Sequence, residues 1–284
     1  MMGSAKNGME KYKIAPDSVQ ATLLVPLAGR KWAGEKYPDL IQDPSAARIL
    51  EQIDYDRSTE DTFSNAMGLY GALEAAQRVY DLEWEVRDYL QAHPQAAVVN
   101  MGCGLDDLFS RVDNGQCRGY NIDFADNIEV RNALLPAQGR ERNLASDLND
   151  TAWFDAIDAS RGAVFVAGGV FYYFTRKAAE KLFAAMAERF PGGALVFDIC
   201  NAIGLKMMLS TWIKQAEIQD VGAYFSVADP QKELAGLSSH FESVSAKSYM
   251  RGYRDLQGLR LLYRFLNWLA DHMMKMRIIK ISFS

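Results

Sequence analysis

Two glycines, and an acid in place of a third, follow a short apolar run near the middle of the chain. The run, residues 97–101, stops at Gly102 and Gly104. This pattern is typical of a buried parallel strand that turns tightly beneath a ligand, where a side chain would collide with it. Asp107 stands where the dinucleotide motif G-x-G-x-x-G needs its third glycine. A carboxylate there disfavours a pyrophosphate and suits a ligand with positive charge, such as the sulfonium and ammonium of S-adenosylmethionine.

Two further acids each close a predicted strand beyond the glycines. Asp123 lies nineteen residues after Gly104, and Asp147 ends the next strand. In α/β nucleotide-binding proteins, an acid at the end of the second strand, about twenty residues past the glycine turn, holds the ribose hydroxyls. Asp123 is also a favourable helix N-cap, although Asp126 could serve there equally well. Two acids on successive strands fit one ligand better than two unrelated caps.

The composition argues against several classes of protein. The 284 residues carry a net charge of −5 and no basic run interleaved with aromatic residues, which argues against a nucleic-acid surface. The three cysteines have no C-x-x-C spacing and the three histidines are scattered, so no metal site is expected. The N-terminus lacks the apolar core of a signal peptide, and no uncharged run approaches the ~20 residues that span a bilayer. We therefore expect a cytoplasmic protein.

The pattern of prolines and apolar residues predicts a helical N-terminal cap over residues 1–70, in which Asp43-Pro44 begins a short helix. Residues 71–284 then form the ligand-binding domain, with an insertion at about 203–238 that is too long for a connecting loop. We predict an α/β, Rossmann-like fold. Its seven strands are placed at residues 97–101, 118–122, 142–148, 162–167, 194–199, 241–247 and 276–281.

Five segments, spread from about residue 20 to residue 200, resemble the leucine carboxyl methyltransferase family. The resemblance is to its bacterial branch, named for polyketide O-methyltransferases of the tetracenomycin pathway. The segments are residues 22–30, 43–47, 93–106, Trp153 after Asp147, and 167–174. The resemblance implies a class I methyltransferase fold, a seven-stranded, mostly parallel sheet whose last hairpin inserts one antiparallel strand.

The resemblance also implies which residues contact S-adenosylmethionine. Gly102, Cys103 and Gly104 pass under its methionine part, Asp123 takes the ribose hydroxyls, and Asp147 with Leu148 brackets the adenine. An arginine on the helix before the first strand holds the carboxylate, and the family's arginine aligns either at Arg78 or two residues earlier at Ala76. Many relatives carry Glu-Gly where this chain has Gly168-Gly169. The expected cofactor contacts are Arg78, Gly102, Cys103, Gly104, Asp123, Phe124, Asp147, Leu148 and Gly168.

These observations predict an O-methyltransferase that acts on a hydroxyl or carboxylate of a small, polyketide-like molecule. Positioning the acceptor oxygen in line with the methyl group can supply ~7–11 kcal/mol, so no catalytic residue needs to be named. Tyr172 and Tyr173 are expected to face the acceptor, and Cys103 to pack rather than react. Three alternatives stay open: methylation of a protein C-terminal leucine carboxylate, a nicotinamide-dependent oxidoreductase, which Asp107 disfavours, and a binding protein without turnover.

Overall fold

A computed structural model describes residues 11–14, 23–39, 41, 43–55, 65–208 and 225–284. Helices and strands alternate along most of this chain. In order, the strands and helices are β1 (Tyr12–Lys13), α1 (Leu24–Lys36), α2 (Pro44–Glu51), β2 (Ile53–Asp54), α3 (Ala66–Ala92), β3 (Ala97–Met101), α4 (Leu108–Val112), β4 (Arg118–Asp123), α5 (Ala125–Leu134), β5 (Glu141–Ala145), a 3-10 turn (Thr151–Ala156), β6 (Ala163–Ala167), a second 3-10 turn (Phe171–Tyr173), α6 (Arg176–Arg189), β7 (Ala194–Ile199), α7 (Ala202–Met208), α8 (Pro230–Leu234), β8 (Phe241–Ser248), α9 (Leu261–Leu269), a π turn (Ala270–Met274) and β9 (Arg277–Phe283).

Seven of the strands form one sheet in the order β5-β4-β3-β6-β7-β9-β8. The first five run parallel to one another, and β9 is antiparallel to both of its neighbours. The predicted sheet, with one antiparallel strand supplied by the last hairpin, is therefore confirmed. Every residue of β3, β6 and β7 is buried, which explains why these strands are nearly continuous apolar runs in the sequence.

Helices cover the two faces of the sheet. On β7, Phe197 stacks obliquely on Phe183 of α6, with ring centroids 5.1 Å apart, whereas the adjacent Asp198 meets Arg78 of α3. Because successive side chains of a strand point to opposite faces, α3 and α6 lie on opposite sides. The 27-residue α3 runs beside the sheet and contributes Leu82 to the main core.

The N-terminal helices share a separate small core with the segment after β3. Leu27 and Ile49 pack there with Leu105. The helix predicted to begin at Asp43-Pro44 is confirmed, since the Asp43 carboxylate accepts from Ala46 N at 3.1 Å and proline fills the first turn of α2. Of the predicted insertion, residues 209–224 lie outside the described residues.

One predicted boundary is wrong. The third strand was expected over residues 142–148 and to close on Asp147, but β5 ends at Ala145. The Asp147 carboxylate instead accepts from Asn149 N at 2.9 Å, in a local turn that competes with continued strand pairing.

In the described part of the chain, no helix has both the length and the apolar character that a membrane span requires.

Candidate functional site

The turn after β3 adopts a backbone that favours glycine. Gly102 has φ +62° and Gly104 has φ +46°, both in the left-handed region. A Cβ on Gly102 would lie 2.5 Å from Val170 Cγ2, and one on Gly104 would lie 2.9 Å from Leu23 Cδ2. The glycines were expected to make room for a ligand. The structure shows that backbone conformation and the packing of Val170 and Leu23 already require them.

Asp123, at the end of β4, is directly bonded to this turn. One carboxylate oxygen, Oδ2, accepts from Gly104 N at 2.7 Å, and the other accepts from Phe124 N and Asn127 Nδ2, each at 2.8 Å. Two residues nineteen apart in sequence are thus brought together at the carboxyl ends of two adjacent parallel strands. A carboxylate oxygen can accept two hydrogen bonds, so Oδ2 retains capacity for one more donor.

The other residues predicted on this side lie close by in the fold. Ala145 pairs with Asp123 across the sheet, and Ser146 N donates to the Asp123 carbonyl at 2.9 Å, so Asp147 follows directly beyond that contact. Asp147 is exposed, Leu148 is buried in the main core, and Phe124 is 58% exposed. Contact of these three with a cofactor stays a prediction.

Arg78 reaches the loop after β6 from α3. Its Nη1 lies 3.4 Å from Asp198 Oδ2, and a Cβ on Gly169 would stand 2.9 Å from the same nitrogen. Gly168 lies beside the guanidinium as well, since a Cβ there would be 3.7 Å from Nε. Gly169 therefore leaves room for the guanidinium against the backbone, whereas a Cβ on Gly168 would only be in ordinary contact with it.

Asp198 is the centre of a group that sequence reasoning missed. Its carboxylate accepts from Gly169 N at 2.5 Å and from Tyr249 Oη at 2.8 Å, besides pairing with Arg78. We call Arg78, Tyr172, Asp198 and Tyr249 the Asp198 cluster. The signal in the sequence was an acid near the end of an otherwise apolar strand, which is rarely buried without a partner.

The two tyrosines predicted to face an acceptor differ in position. Tyr172 is 1% exposed, and burial together with the nearby Asp198 raises its pKa well above the usual value. Its hydroxyl has no hydrogen-bond partner of standard geometry among the described residues. Tyr173 is 53% exposed, and desolvation raises its pKa while Arg78 lowers it. Only Tyr172 belongs to the Asp198 cluster.

The fold shifts the pKa values of two ionisable groups on the glycine turn in opposite directions. Burial raises the pKa of Asp106, but Arg111 and Arg30 outweigh it and bring the pKa down to about 2. Burial raises the pKa of the Cys103 thiol to about 12, so Cys103 is protonated at neutral pH and is no nucleophile. This agrees with the expectation that Cys103 packs.

Arg30 and Arg131 are two further residues that sequence reasoning did not single out. Arg30 donates to Leu105 O at 3.1 Å and pairs with Asp106 at 2.8 Å, whereas Arg131 is fully buried beneath the same turn. A charged residue on the buried face of a short helix was the available signal for Arg131. Within the described ranges, no group of three or more His, Cys, Asp or Glu side chains is arranged to hold a metal ion.

The chain is similar to known proteins in both sequence and structure. The profile of the leucine carboxyl methyltransferase family matches residues 24–187. The tetracenomycin polyketide synthesis O-methyltransferase TcmP of Streptomyces glaucescens is 30% identical over 181 residues, which is 63% of this chain. The match spans 65% of the length of TcmP, a little under two thirds.

Two solved structures share the fold. A protein of Thermobifida fusca with a provisional methyltransferase assignment superposes with a TM-score of 0.59 at 13% identity, covering 94% of this chain and 96% of its own. A DUF574 family protein of Streptomyces avermitilis reaches 0.55 at 13% identity, covering 84% and 96%. The sheet is thus that of a class I methyltransferase. With more than half of its length matched by the family profile, the chain belongs to the leucine carboxyl methyltransferase family.

Proposed function

We propose that the protein is an S-adenosylmethionine-dependent O-methyltransferase with a small-molecule acceptor. One observation carries the proposal, the 2.7 Å bond between Gly104 N and Asp123 Oδ2. It joins the ends of β3 and β4 beside β6, where the strand order of the sheet reverses. In open α/β sheets, ligands bind in the crevice at that reversal.

The surrounding residues fit the cofactor. Asp123 has room for one more donor, as a ribose hydroxyl requires, and the exposed Phe124 ring next to it offers a flat surface for an adenine. The methionine part of the cofactor would contact Gly102, Cys103 and Gly104. The adenine would lie against Asp147 and Leu148, and Gly168 would contact the cofactor beside Arg78. Arg78 is 21% exposed at its side chain and would meet the carboxylate.

S-adenosylmethionine supplies an electrophilic methyl group when bound. The protein's own task is to hold the acceptor oxygen in line with that group and to exclude water, which can account for ~7–11 kcal/mol of rate enhancement. No nucleophile is needed, consistent with the protonated Cys103. Tyr172 and Tyr173 are the side chains we assign to the acceptor, together with Asp198 near the end of β7 and Tyr249, which follows β8.

The acceptor we propose is a hydroxyl or carboxylate of a polyketide-like molecule, as the name of TcmP suggests. The second candidate is a protein C-terminal leucine carboxylate, which the family name favours. We also propose that the N-terminal cap, residues 1–70, and the insertion at about 203–238 select the acceptor, because they are the parts that depart from the regular alternation. The three buried cysteines are free, which suits a reducing cytoplasm.

Calorimetry with S-adenosylhomocysteine and with NADH tests the cofactor assignment. We expect binding of the first and no binding of the second, and the reverse result would end the proposal in favour of an oxidoreductase. A transfer assay with methyl-labelled cofactor against pools of phenols, carboxylic acids and leucine-terminated peptides then identifies the acceptor. Binding without transfer to any pool would favour a protein that retains the cofactor without turnover.

A further inference from the structure

Arg131, in the last turn of α5, is a fully buried arginine whose hydrogen bonds converge on the glycine turn. Its Nη1 donates to Gly104 O at 3.0 Å and to Asp106 O at 2.7 Å. On the other side, Nε donates to Asn143 Oδ1 at 3.1 Å, and Nη2 lies 3.5 Å from Glu141 Oε1. One guanidinium therefore ties the turn after β3 to the edge strand β5.

As a result, Gly104 is held through both of its backbone polar groups. Its N–H donates to Asp123, and its carbonyl accepts from Arg131, eight residues further along the same β4–α5 unit. Arg30 takes the next carbonyl, that of Leu105, at 3.1 Å. The carbonyls of residues 104, 105 and 106 are thus all bound by buried arginines.

Burying a guanidinium costs several kcal/mol in desolvation, which its hydrogen bonds must offset. The partners of those hydrogen bonds therefore indicate the role of the buried arginine. The acid nearest to Arg131 stands at 3.5 Å, whereas its shortest bond, 2.7 Å, goes to a backbone carbonyl of the turn. Gly104 has a left-handed φ of +46° and, lacking a side chain, is free to sample other conformations. Bonds to its carbonyl remove that freedom.

We propose that Arg131 is a positioning residue of the cofactor site, which holds the glycine turn in the conformation that binds S-adenosylmethionine. This inference rests on the proposed function. Arg131 itself, buried behind the turn, does not touch the cofactor. Its loss weakens cofactor binding because the free energy of ordering the turn must then come from the ligand.

The test is Arg131→Lys, which keeps the charge and loses the forked geometry. We expect the affinity for S-adenosylhomocysteine to fall about tenfold, as loss of one charge-assisted bond implies. The KM for S-adenosylmethionine should rise by a similar factor, with kcat at saturating cofactor changed less than about threefold. Arg140→Lys is the matched control. Arg140 donates to Cys117 O at 3.0 Å and pairs with Asp113, away from the turn, so its variant should bind like the wild type.

Asn143→Ala provides a second test that leaves Arg131 itself in place, in case Arg131→Lys fails to fold. It removes the acceptor that orients Nε and should weaken S-adenosylhomocysteine binding about threefold. If Arg131→Lys folds and binds S-adenosylhomocysteine with wild-type affinity, the inference is overturned and the proposed function stays intact. If Arg131→Lys does not fold, wild-type affinity in Asn143→Ala has the same meaning. Failure of the wild-type protein to bind S-adenosylhomocysteine would instead overturn both.

Discussion

Two buried acids, Asp123 and Asp198, organise the two halves of the candidate site in different ways. Asp123 takes its hydrogen bonds from residues one, four and nineteen positions away, all between the turn after β3 and the start of α5. Asp198 takes its partners from positions 29, 51 and 120 residues away. The glycine-turn half is local and was predictable from spacing, whereas the Asp198 cluster is assembled only when distant segments meet.

The two halves also differ in protonation. On the glycine turn, paired arginines bring the pKa of Asp106 down to about 2, so the carboxylate stays ionised at neutral pH. In the Asp198 cluster, burial raises the pKa of Tyr172 and of Tyr249 well above the usual value, and beside it burial raises the pKa of Glu74 to about 7. In the first half the ionised Asp106 is therefore already paired with Arg30 and Arg111, whereas the second half places protonated tyrosine hydroxyls beside the Asp198–Arg78 pair.

Removing the cation of the Asp198 cluster should have the largest effect. Arg78→Met leaves the fully buried Asp198 carboxylate without a counter-charge and should lower the free energy of unfolding by about 3 kcal/mol. Asp198→Asn in the same chain should restore part of that loss. Denaturant unfolding of the four proteins in the cycle measures the coupling, and strictly additive effects would show that the pair does not act as a unit.

Asp123→Ala removes the central hydrogen-bond acceptor of the glycine-turn half. Gly104 N, Phe124 N and Asn127 Nδ2 lose their acceptor, and a cofactor hydroxyl loses its partner. We expect S-adenosylhomocysteine binding to weaken by 1–3 kcal/mol, or about 5-fold to 150-fold, in calorimetry. Asp147→Ala, at an exposed acid, should weaken it by no more than about 1 kcal/mol. Unchanged affinity in Asp123→Ala would remove this residue from the site.

Low pH should lower the free energy of unfolding through protonation of Asp106 in the glycine turn. Its pKa falls from 3.8 to about 2 on folding, so the ionised carboxylate stabilises the fold above the unfolded pKa, and this contribution is lost as pH falls from about 4 to 2. It amounts to roughly 2 kcal/mol. The wild-type stability should therefore exceed that of Asp106→Asn at pH 6, and the difference should shrink towards pH 2. A constant difference between these pH values would contradict the assignment.

The smallest effect on stability is expected at Tyr172. Its hydroxyl lies beside the Cys200 thiol, a weak hydrogen-bond partner, and has no other of standard geometry, so Tyr172→Phe should change the free energy of unfolding by less than about 0.5 kcal/mol. Tyr249→Phe, which removes a 2.8 Å bond to Asp198, should cost about 1–2 kcal/mol. If Tyr172 contacts the acceptor, its variant should nonetheless raise the acceptor KM. Equal stability losses in the two variants would show that the Tyr172 hydroxyl is paired in solution.

Local patterns determined a large part of this protein. The apolar runs of β3, β6 and β7, the glycines after β3, the cap at Asp43 and the acid at Asp123 all follow from strand burial, backbone conformation and short-range hydrogen bonding. These are properties of a few adjacent residues, and spacing expresses them directly. Resemblance to a family supplied the cofactor and the reaction class.

The tertiary structure alone decided which distant charges meet. Nothing in the spacing of Arg78, Asp198 and Tyr249 indicates that α3, β7 and the segment after β8 converge. Nor does the position of Arg131 in α5 show that its guanidinium binds the carbonyls of a turn some 27 residues earlier. Contacts of this kind depend on how strands are ordered and how helices pack across the sheet, and the hydrophobic burial that drives that packing is not specific to any one pair of residues.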